Sequence, residues 1–372
     1  MANPCKQKRF VSHGGDVWGL ARKYNIPLEE VLDFSGPINF LGPAPRAVEA
    51  VKQYAKLIKF YPDPNPVELK TEIAKYVGDN IAASNIILGN GSIELIYMIT
   101  EAFPCNFKAI IPVPSFTEYE KAALRVGGEP VFVNLPDNFA LDVQSVKNAV
   151  TDDTRIVSIC NPHSPSGTFY SKETVLELVE FCCKKDIIVS VDENYIEFAE
   201  KGQDNTMAGY AKKYANLFII RSVTKFYGMP GIRFGYGIAT ESLIDMLQTV
   251  RQPWSINSLA GYATLAALKD TVFIENTKRT IAEERAKFVK MLSELGGLHV
   301  FPSETNFLLV KILNSKFTSA MLKEKMAKKG VLIRDCSTFV GLDDSYFRVT
   351  VRSSRENLTL IENLRELIEK KA

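Results

Sequence analysis

The sequence lacks both a long hydrophobic run and a large net charge. No apolar run approaches the ~18 residues that a membrane-spanning helix needs, and the basic first residues are not followed by the apolar stretch of a signal peptide. The formal net charge is only +2 over 372 residues, which gives no electrostatic reason to expect binding to nucleic acid or to an anionic membrane surface. We therefore expect no membrane and no nucleic acid among the partners of this chain.

Cysteine and histidine are also scarce. The six cysteines form no C-x-x-C pair and no zinc-binding spacing; they are Cys5, Cys105, Cys160, Cys182, Cys183 and Cys336. We therefore expect no metal site, and a cytoplasmic location, where thiols stay reduced, fits this pattern best. One of the three histidines, His163, lies in a loop with two prolines and a glycine but has no other metal ligand around it. We expect it to make that loop rigid.

What remains is the composition of an ordinary globular protein. Hydrophobic residues make up 46% and charged residues 24% of the chain, and the length suffices for two domains or for one large domain with a smaller one. Between residues 85 and 220, short and almost wholly apolar segments alternate with helical ones. Such strands are typical of a parallel sheet that helices cover on both faces. The predicted strands are residues 85–88, 109–113, 130–133, 155–160, 187–191 and 217–220.

After residue 250 the pattern changes to a long helical stretch, followed by strands and helices of an α+β unit. We therefore predict an α/β fold, with a mainly parallel sheet covered by helices and a smaller α+β domain at the C-terminal end. The predicted divisions are an N-terminal arm at residues 1–45 that packs on the small domain, a large domain at residues 46–255 and a small domain at residues 256–372. Asn65 and Pro66 predict a helix start, as N-cap and first helical residue.

Lys225 lies in a stretch that combines an amine with phosphate donors. Residues 221–233 read RSVTKFYGMPGIR and follow an apolar strand, which is where α/β enzymes place their chemistry. A lysine amine there can act as a nucleophile and form a Schiff base, and Ser222, Thr224 and Arg233 can donate hydrogen bonds to a phosphate. The combination indicates pyridoxal phosphate. Read alone, the stretch is equally compatible with an ordinary surface lysine.

Other predicted strand ends carry fitting side chains. The turn at residues 89–94 presents free N–H groups and a helix N-terminus to an anion, but it does not match the dinucleotide motif G-x-G-x-x-G. Asp192 ends another strand and can face the ring nitrogen of pyridoxal phosphate, or it can simply cap a turn. Phe116 can stack on a flat ring or pack in the core.

Arg334 and Arg348 interrupt otherwise apolar strands near the C-terminal end. Buried arginines are rarely unpaired, so each should meet either an internal carboxylate or an anionic ligand. A guanidinium group suits a carboxylate or a phosphate because it can donate two parallel hydrogen bonds. Read alone, these strands leave both alternatives open.

Taken together, the motifs from Tyr61 to Arg348 resemble those of the fold-type-I pyridoxal-phosphate enzymes, in the histidinol-phosphate aminotransferase-like group. Within that group the chain is most similar to the threonine-phosphate decarboxylases of the cobalamin pathway. This closer likeness depends on HGGD at residues 13–16, GNG at residues 89–91, RSVTKFY at residues 221–227 and IRDC at residues 333–336. The resemblance covers nearly the whole chain.

The resemblance implies a role for each matching residue. Lys225 would carry the cofactor, Asp192 would face its ring nitrogen, and Tyr195 its ring hydroxyl, beside Ser164, which stands where the family usually has asparagine. The cofactor phosphate would be held by Gly91, Ser92, Ser222, Thr224 and Arg233, with Phe116 stacked on the ring and Tyr61 supplied by a partner subunit. That last role implies a homodimer with shared active sites. The substrate would be bound by His13, Asn39, Arg334 and Arg348.

The implied reaction is decarboxylation of an O-phosphorylated amino acid. L-Threonine O-3-phosphate would give (R)-1-aminopropan-2-yl phosphate and CO₂ for cobalamin biosynthesis. L-Serine O-phosphate, giving ethanolamine phosphate, stays open, because one methyl group gives only about 1–3 kcal/mol of discrimination and because Pro37 replaces a family asparagine. A histidinol-phosphate aminotransferase is a further alternative, and a binding protein that has lost catalysis is the non-enzymatic one.

Overall fold

A seven-stranded sheet forms the centre of the large domain. In this computed structural model, which describes residues 13–103, 105–313 and 316–369, the strands are numbered along the chain. Their spatial order is β2 (Ile86–Gly89), β8 (Gly235–Ile238), β7 (Leu217–Ser222), β6 (Ile188–Asp192), β5 (Thr154–Cys160), β3 (Lys108–Val113) and β4 (Glu129–Asn134). All run parallel except β8, which is antiparallel to both its neighbours. The predicted mainly parallel sheet is confirmed.

Helices cover both faces of this sheet. Neighbouring residues of one strand, such as Phe218 and Ile219 of β7, belong to different hydrophobic clusters, which explains why the strands read as continuous apolar runs. The helices of this part are α2 (Pro45–Tyr54), α3 (Val67–Val77), α4 (Ser92–Glu101), α5 (Glu118–Arg125), α6 (Val143–Ala149), α7 (Lys172–Cys183), α8 (Gly202–Asn205), α9 (Glu241–Gln248) and α10 (Ser258–Leu268). None of the helices that the structure describes is long and apolar enough to cross a membrane.

Side-chain capping sets some of the helix starts. Asp142 caps α6 by accepting a hydrogen bond from the Ser145 amide. The predicted start of α3 was wrong by one residue, because Pro66 has a ψ of 77°, outside the helical range. Pro66 therefore takes the N-cap position that was expected for Asn65, and the helix begins at Val67.

The small domain is built on a four-stranded antiparallel sheet. Its strands lie in the order β12 (Arg334–Asp335), β13 (Tyr346–Thr350), β10 (Phe307–Ile312) and β9 (Leu298–Val300). The helices α11 (Thr271–Ser293), α12 (Ser319–Ala327) and α13 (Ser354–Glu369) complete this part of the chain. Phe347 and Val349 on β13 are fully buried in its core, so β13 presents its alternate residue, Arg348, to the other face of the sheet.

The described part of the N-terminal arm packs on the small domain. Its helix α1 (Val17–Tyr24) buries Leu20 against Ala327 and Leu332, and the short strand β1 (Leu32–Asp33) pairs in parallel with β11 (Val331–Leu332). The first twelve residues of the predicted arm, with Cys5, lie outside the described residues. The arm therefore reaches the strands that carry the predicted anion-binding arginines.

The two hydrophobic cores meet along α11. The preceding helix α10 packs against α2 and belongs to the core of the large domain. Along α11, Phe273 and Ile274 belong to the same core, whereas Phe288 and Leu292 belong to the core of the small domain. The division proposed at residues 255 and 256 therefore precedes the point at which the packing changes.

Candidate active site

A cavity of about 170 Å³ opens at the carboxyl ends of β5, β6 and β7. Because parallel strands end at the same edge of a sheet, the loops that follow them bring together residues distant in sequence. Nine predicted cofactor residues line the cavity, namely Ser92, Phe116, Ser164, Asp192, Tyr195, Ser222, Thr224, Lys225 and Arg233. The structure therefore gathers most of the residues that the sequence singled out.

Lys225 follows β7 and points its amine into this cavity. Loss of surrounding water, together with the positive charges of Arg348 and Arg233, lowers the pKa of Lys225 to about 8, although Asp33 and Asp192 act in the opposite direction. A lower pKa increases the neutral fraction of the amine near neutral pH, and the neutral amine is the nucleophile. The site therefore prepares this lysine to attack an aldehyde.

Asp192 ends β6 and is almost completely buried. Its Oδ2 accepts a hydrogen bond from the Tyr119 hydroxyl at 2.8 Å, and its Oδ1 accepts one from the Asn194 amide at 3.0 Å. Burial raises the pKa of Asp192 to about 6, and these two hydrogen bonds limit the rise. A buried carboxylate fixed in this way is suited to hold a proton on a ring nitrogen.

The N-terminal end of α4 provides a cradle for a phosphate. Gly91 caps this helix with a φ of 78°, in the left-handed region that favours glycine, and a Cβ there would come within 2.4 Å of the Arg233 guanidinium. The Ser222 hydroxyl is buried and has no hydrogen-bond partner among the described residues. An open helix N-terminus, an arginine and a spare hydroxyl fit the phosphate of pyridoxal phosphate.

The space between these groups is bounded by aromatic and polar side chains. Phe116 lies at one wall, with its ring 5.8 Å from that of Tyr119. Tyr195 is buried with its ring edge-on to Phe307 at 5.0 Å, and burial raises the pKa of its hydroxyl. Ser164 accepts a hydrogen bond from Nη1 of Arg348 at 3.1 Å. The serine that replaces the family asparagine therefore contacts a predicted substrate residue.

His163 supports the loop that carries Ser164. Its two ring nitrogens lie 2.6 Å from the Ser166 hydroxyl and 2.8 Å from the Pro114 carbonyl. Burial lowers the pKa of His163 to about 4, so the ring is neutral at physiological pH. These contacts tie the loop to the residue after β3, as the predicted loop-rigidity role requires.

Arg334 and Arg348 face each other across neighbouring strands. They are direct partners in the β12–β13 register, and both are more than nine-tenths buried. Arg348 reaches the Ser35 carbonyl at 3.4 Å, and its Nε has no partner among the described residues. Arg334 donates to the Thr338 hydroxyl at 2.8 Å. Because like charges directly opposite one another are destabilising, this pair suits an anionic ligand.

His13 and Arg334 line a second cavity of about 430 Å³. It lies between the arm and the small domain, and Ser35 lines it as well. The ring of His13 is 5.7 Å from that of Phe116, so this second cavity adjoins the first. Arg348 contacts one residue of each, Ser164 and Ser35.

The side chain of Asn39 does not face either cavity, which corrects its predicted contact with substrate. It is buried, and its amide donates to the Phe226 carbonyl at 2.8 Å and to the Thr277 hydroxyl at 3.1 Å. Its backbone N–H donates to the Lys225 carbonyl at 3.1 Å. Asn39 is therefore a positioning residue for the lysine loop, because an amide that satisfies buried backbone carbonyls is not free to bind a ligand.

Tyr61 does not reach the cofactor cavity of its own chain. It is 80% exposed and lines a separate surface cavity beside Trp254, with the two rings 5.1 Å apart. Its expected contribution to the site of a partner subunit stays a prediction. Its exposure in a single chain is compatible with that expectation.

Among the residues that were missed from the sequence, three make polar contacts at the site. Tyr119 and Glu118 begin α5 just after Phe116, and Asn194 follows Asp192 by two positions. Their only signal was their position directly after a predicted site residue at a strand end. No group of three or more potential ligands in the described ranges is placed to hold a metal ion.

Comparisons with known proteins agree with this geometry. A protein of Caldanaerobacter subterraneus subsp. tengcongensis named "Putative threonine-phosphate decarboxylase" is 39% identical over 89% of both chains. The crystal structure of a histidinol-phosphate aminotransferase from Clostridium acetobutylicum is 33% identical, with a TM-score of 0.85, over 91% of this chain and 100% of that one. The L-threonine-O-3-phosphate decarboxylase from Porphyromonas gingivalis is 27% identical, with a TM-score of 0.81 and the same coverage.

The sequence profile described as "Aminotransferase class I and II" matches residues 30–364. That range includes the lysine, the strand-end aspartate and both buried arginines of the small domain. The fold-type-I architecture that the resemblance implied is confirmed as well, since the solved relatives share it over most of their length. The chain belongs to the class I and II aminotransferase family, and its cofactor is the pyridoxal 5′-phosphate of that family.

Proposed function

We propose that this chain decarboxylates an O-phosphorylated amino acid, and that L-threonine O-3-phosphate is its substrate in cobalamin biosynthesis. The observation that carries the proposal is the position of Arg348, which contacts Ser164 of the cofactor cavity and Ser35 of the cavity that His13 and Arg334 line. An α-carboxylate on Arg348 and a phosphate near His13 and Arg334 would place the two anionic ends of one ligand in adjoining cavities.

The protein residues would decide which bond breaks. Bound pyridoxal phosphate supplies an electron sink for the bonds at the Cα of the amino acid. Arg348 would hold the carboxylate and the phosphate site would hold the far end, so that these two anchors would select which bond at Cα is cleaved. Asp192 would face the ring nitrogen and favour its protonated form, and Lys225, which lines the same cavity, would return a proton to Cα.

The family likeness supports this reading at the level of the reaction. The relative named for threonine phosphate is the more similar in sequence, at 39% identity, against 33% for the solved histidinol-phosphate aminotransferase. Histidinol-phosphate aminotransferase is the second candidate, because the solved structure of that enzyme aligns with this chain at a TM-score of 0.85. That reaction requires a 2-oxo acid as second substrate and releases no CO₂.

We further propose a cytoplasmic homodimer with shared sites. Tyr61, Phe60, Ile58 and Trp254 are all more than half exposed in the single chain, and apolar surface of this kind is typical of an interface between subunits. A second copy seated there would cover this surface and could deliver its own Tyr61 to the neighbouring phosphate cradle. The five described cysteines are free thiols, as expected in a reducing compartment.

The test is to offer the purified holoenzyme L-threonine O-3-phosphate, L-serine O-phosphate and histidinol phosphate, each with and without 2-oxoglutarate. We expect CO₂ from threonine phosphate without an oxo acid, and about 10- to 200-fold weaker turnover of serine phosphate, since the two differ by one methyl group. Glutamate formed from histidinol phosphate and 2-oxoglutarate, with no CO₂ from either phosphoamino acid, would replace the proposal by the aminotransferase.

A further inference from the structure

The side chain of His13, at the start of the described arm, contacts the large domain. Nε2 of His13 lies 2.9 Å from Oε1 of Glu118, the first residue of α5, across 105 positions of sequence. The arm beyond this point packs on the small domain, through α1 and β1. The His13–Glu118 contact therefore bridges the two halves of the molecule at the edge of the candidate substrate site.

Glu118 is built to hold a charge in a partly enclosed place. The residue is 8% exposed, and it also accepts hydrogen bonds from the Tyr97 hydroxyl at 2.8 Å and from the Lys121 amine at 2.5 Å. Burial raises the pKa of Glu118, but the hydrogen bonds from His13, Lys121 and Tyr97 outweigh it and lower the value to about 2. A carboxylate only accepts hydrogen bonds, so Nε2 of His13 must carry the proton.

The other side of the arm is fixed by close backbone packing. The Gly15 amide donates to the Ser35 hydroxyl at 2.8 Å, and a Cβ at Gly14 would come within 2.2 Å of the Ser35 carbonyl. That same carbonyl accepts a hydrogen bond from Arg348. The turn that carries His13 is therefore set by Glu118 on the large domain and by Ser35 beside the small-domain arginines.

We propose that Glu118 is a positioning residue for substrate selection: it fixes the His13 imidazole at the cavity shared with Arg334, so that a ligand phosphate meets both side chains at once. The inference deepens the proposed function and rests on it for the identity of the phosphate. Phe116 and Tyr119, one on each side of Glu118 in sequence, line the cofactor cavity. One short segment thus serves both the cofactor and the substrate ends of the site.

A surface ion pair between Glu118 and Lys121 is the simpler reading of this carboxylate. Such i,i+3 pairs contribute roughly 0–1 kcal/mol and do not require burial. The Glu118 side chain is only 10% exposed, whereas that of Lys121 is 36% exposed, and the Tyr97 hydroxyl fills a further position on the carboxylate. A carboxylate with three donors, one of them from a distant segment, is more than a helix ion pair needs.

The test compares Glu118→Ala and Glu118→Gln with Glu120→Gln, which removes the same charge from the same helix. In the holoenzyme, Glu118→Ala should weaken the binding of L-threonine O-3-phosphate about 10- to 100-fold, the range expected for the loss of a hydrogen bond to a charged group. Unphosphorylated L-threonine, followed through the cofactor absorbance, should bind as in the parent protein. The affinity of Glu118→Gln for the phosphorylated ligand should lie between those of Glu118→Ala and the parent protein, since its amide oxygen still accepts from His13. Glu120→Gln should change the binding of neither ligand.

Equal weakening of both ligands in Glu118→Ala and Glu118→Gln would overturn the proposal, because it would mean general damage to the site. A double-mutant cycle guards against misfolding: in a His13→Ala background, Glu118→Gln should have no further effect on the phosphorylated ligand. An additive effect there would equally overturn it.

Hydrogen exchange of the holoenzyme separates this inference from the reaction itself. Amides of residues 13–24 should exchange about tenfold faster in Glu118→Ala than in Glu120→Gln, because the arm has lost its contact with α5. Unchanged exchange would contradict the positioning role whatever the reaction is. Faster exchange and selective loss of the phosphorylated ligand, in a protein that releases no CO₂, would keep the positioning role and reject the decarboxylase.

Discussion

Two buried arginines, one in each domain, have opposite surroundings. Arg221 at the end of β7 is fully buried, with its Nη2 2.9 Å from the Glu193 carboxylate and 2.6 Å from the Thr206 hydroxyl. Arg348 on β13 is 6% exposed and donates to two neutral oxygens, the Ser164 hydroxyl at 3.1 Å and the Ser35 carbonyl at 3.4 Å. Among the described residues, no carboxylate forms a salt bridge with Arg348.

The difference indicates that the two arginines have different roles. Arg221 has its counter-charge within the fold, and it lies beside the residues that follow β7 toward Lys225, so it is part of the framework of the cofactor site. Arg348 and its register partner Arg334 place two positive charges opposite each other, an arrangement that costs stability until an anion arrives. The charge of Arg221 is thus balanced without a ligand, whereas Arg348 and Arg334 are placed to meet an anion.

The largest effect is expected on catalytic activity, from replacement of Lys225 in the large domain. Lys225→Ala should lower CO₂ release by about 10²- to 10⁴-fold, the range for removal of a positioned proton-transfer group, and should remove the absorbance band of lysine-bound cofactor. Substrate binding at the small-domain arginines should persist. Lys184→Ala, on an exposed helix end, is the matched control and should behave like the parent protein. Full activity in Lys225→Ala would remove the lysine from the mechanism.

The comparison between Arg221 and Arg348 is tested most directly by the stability of variants at these two positions. Arg221→Met should lower the free energy of unfolding by about 3–5 kcal/mol, because it leaves the Glu193 carboxylate buried without a partner. Arg348→Met should change it by less than about 1 kcal/mol, or raise it, because no carboxylate is stranded and the repulsion from Arg334 is relieved. Urea titrations of the two variants without phosphate will measure this. Equal losses would show that both arginines are structural.

A smaller effect on stability is expected where Asn39 of the arm contacts the loop that carries Lys225. Asn39→Ala should cost about 1–3 kcal/mol of stability, the penalty for leaving the buried Phe226 carbonyl without its donor, and should lower activity by displacing Lys225. Asn85→Ala is the control, since Asn85 is a buried asparagine that donates to the Ala239 carbonyl at the opposite end of the sheet. It should lose similar stability with little change in activity; equal losses of activity would reject the positioning role of Asn39.

The smallest effect concerns pH. Cofactor attachment to the apoprotein requires the neutral amine of Lys225, whose pKa is lowered to about 8, so the attachment rate should rise with pH and level off above about 8. Arg348→Met removes a nearby positive charge that helps to lower this pKa. The midpoint should therefore move upward, by up to roughly one pH unit, in stopped-flow absorbance measurements. A midpoint that stays in place would mean that Arg348 does not act on Lys225.

The parallel sheet, and the edge of it that carries the site, could be predicted from the sequence because both depend on local hydrophobic pattern. The apolar run predicted as a strand at residues 217–220 lies within β7, and the residues after β5, β6 and β7 converge because parallel strands end together. The short strands β1 and β9 have no such pattern; they depend on partners in β11 and β10, which a local reading does not supply.

The contacts that complete the site could not be predicted, since they join distant segments. Glu118 and His13 come into contact only after folding, and no local sequence pattern around either residue predicts the contact. Asn39 was misassigned because an asparagine amide can serve a ligand or a backbone carbonyl equally well, and only the fold decides which. Tyr119 and Asn194 were overlooked because their neighbours Phe116 and Asp192 already accounted for the pattern.

One consequence of α11 concerns how the chain can be cut. This helix of 23 residues, about 35 Å long at 1.5 Å per residue, begins in one hydrophobic core and ends in the other. A fragment that starts at residue 256 would carry α10 away from its partner α2 and leave its alanine face in water. The irregular segment at residues 251–257 precedes α10, so it does not separate the two cores. Expression of either half alone would therefore yield an incomplete core rather than an independent domain.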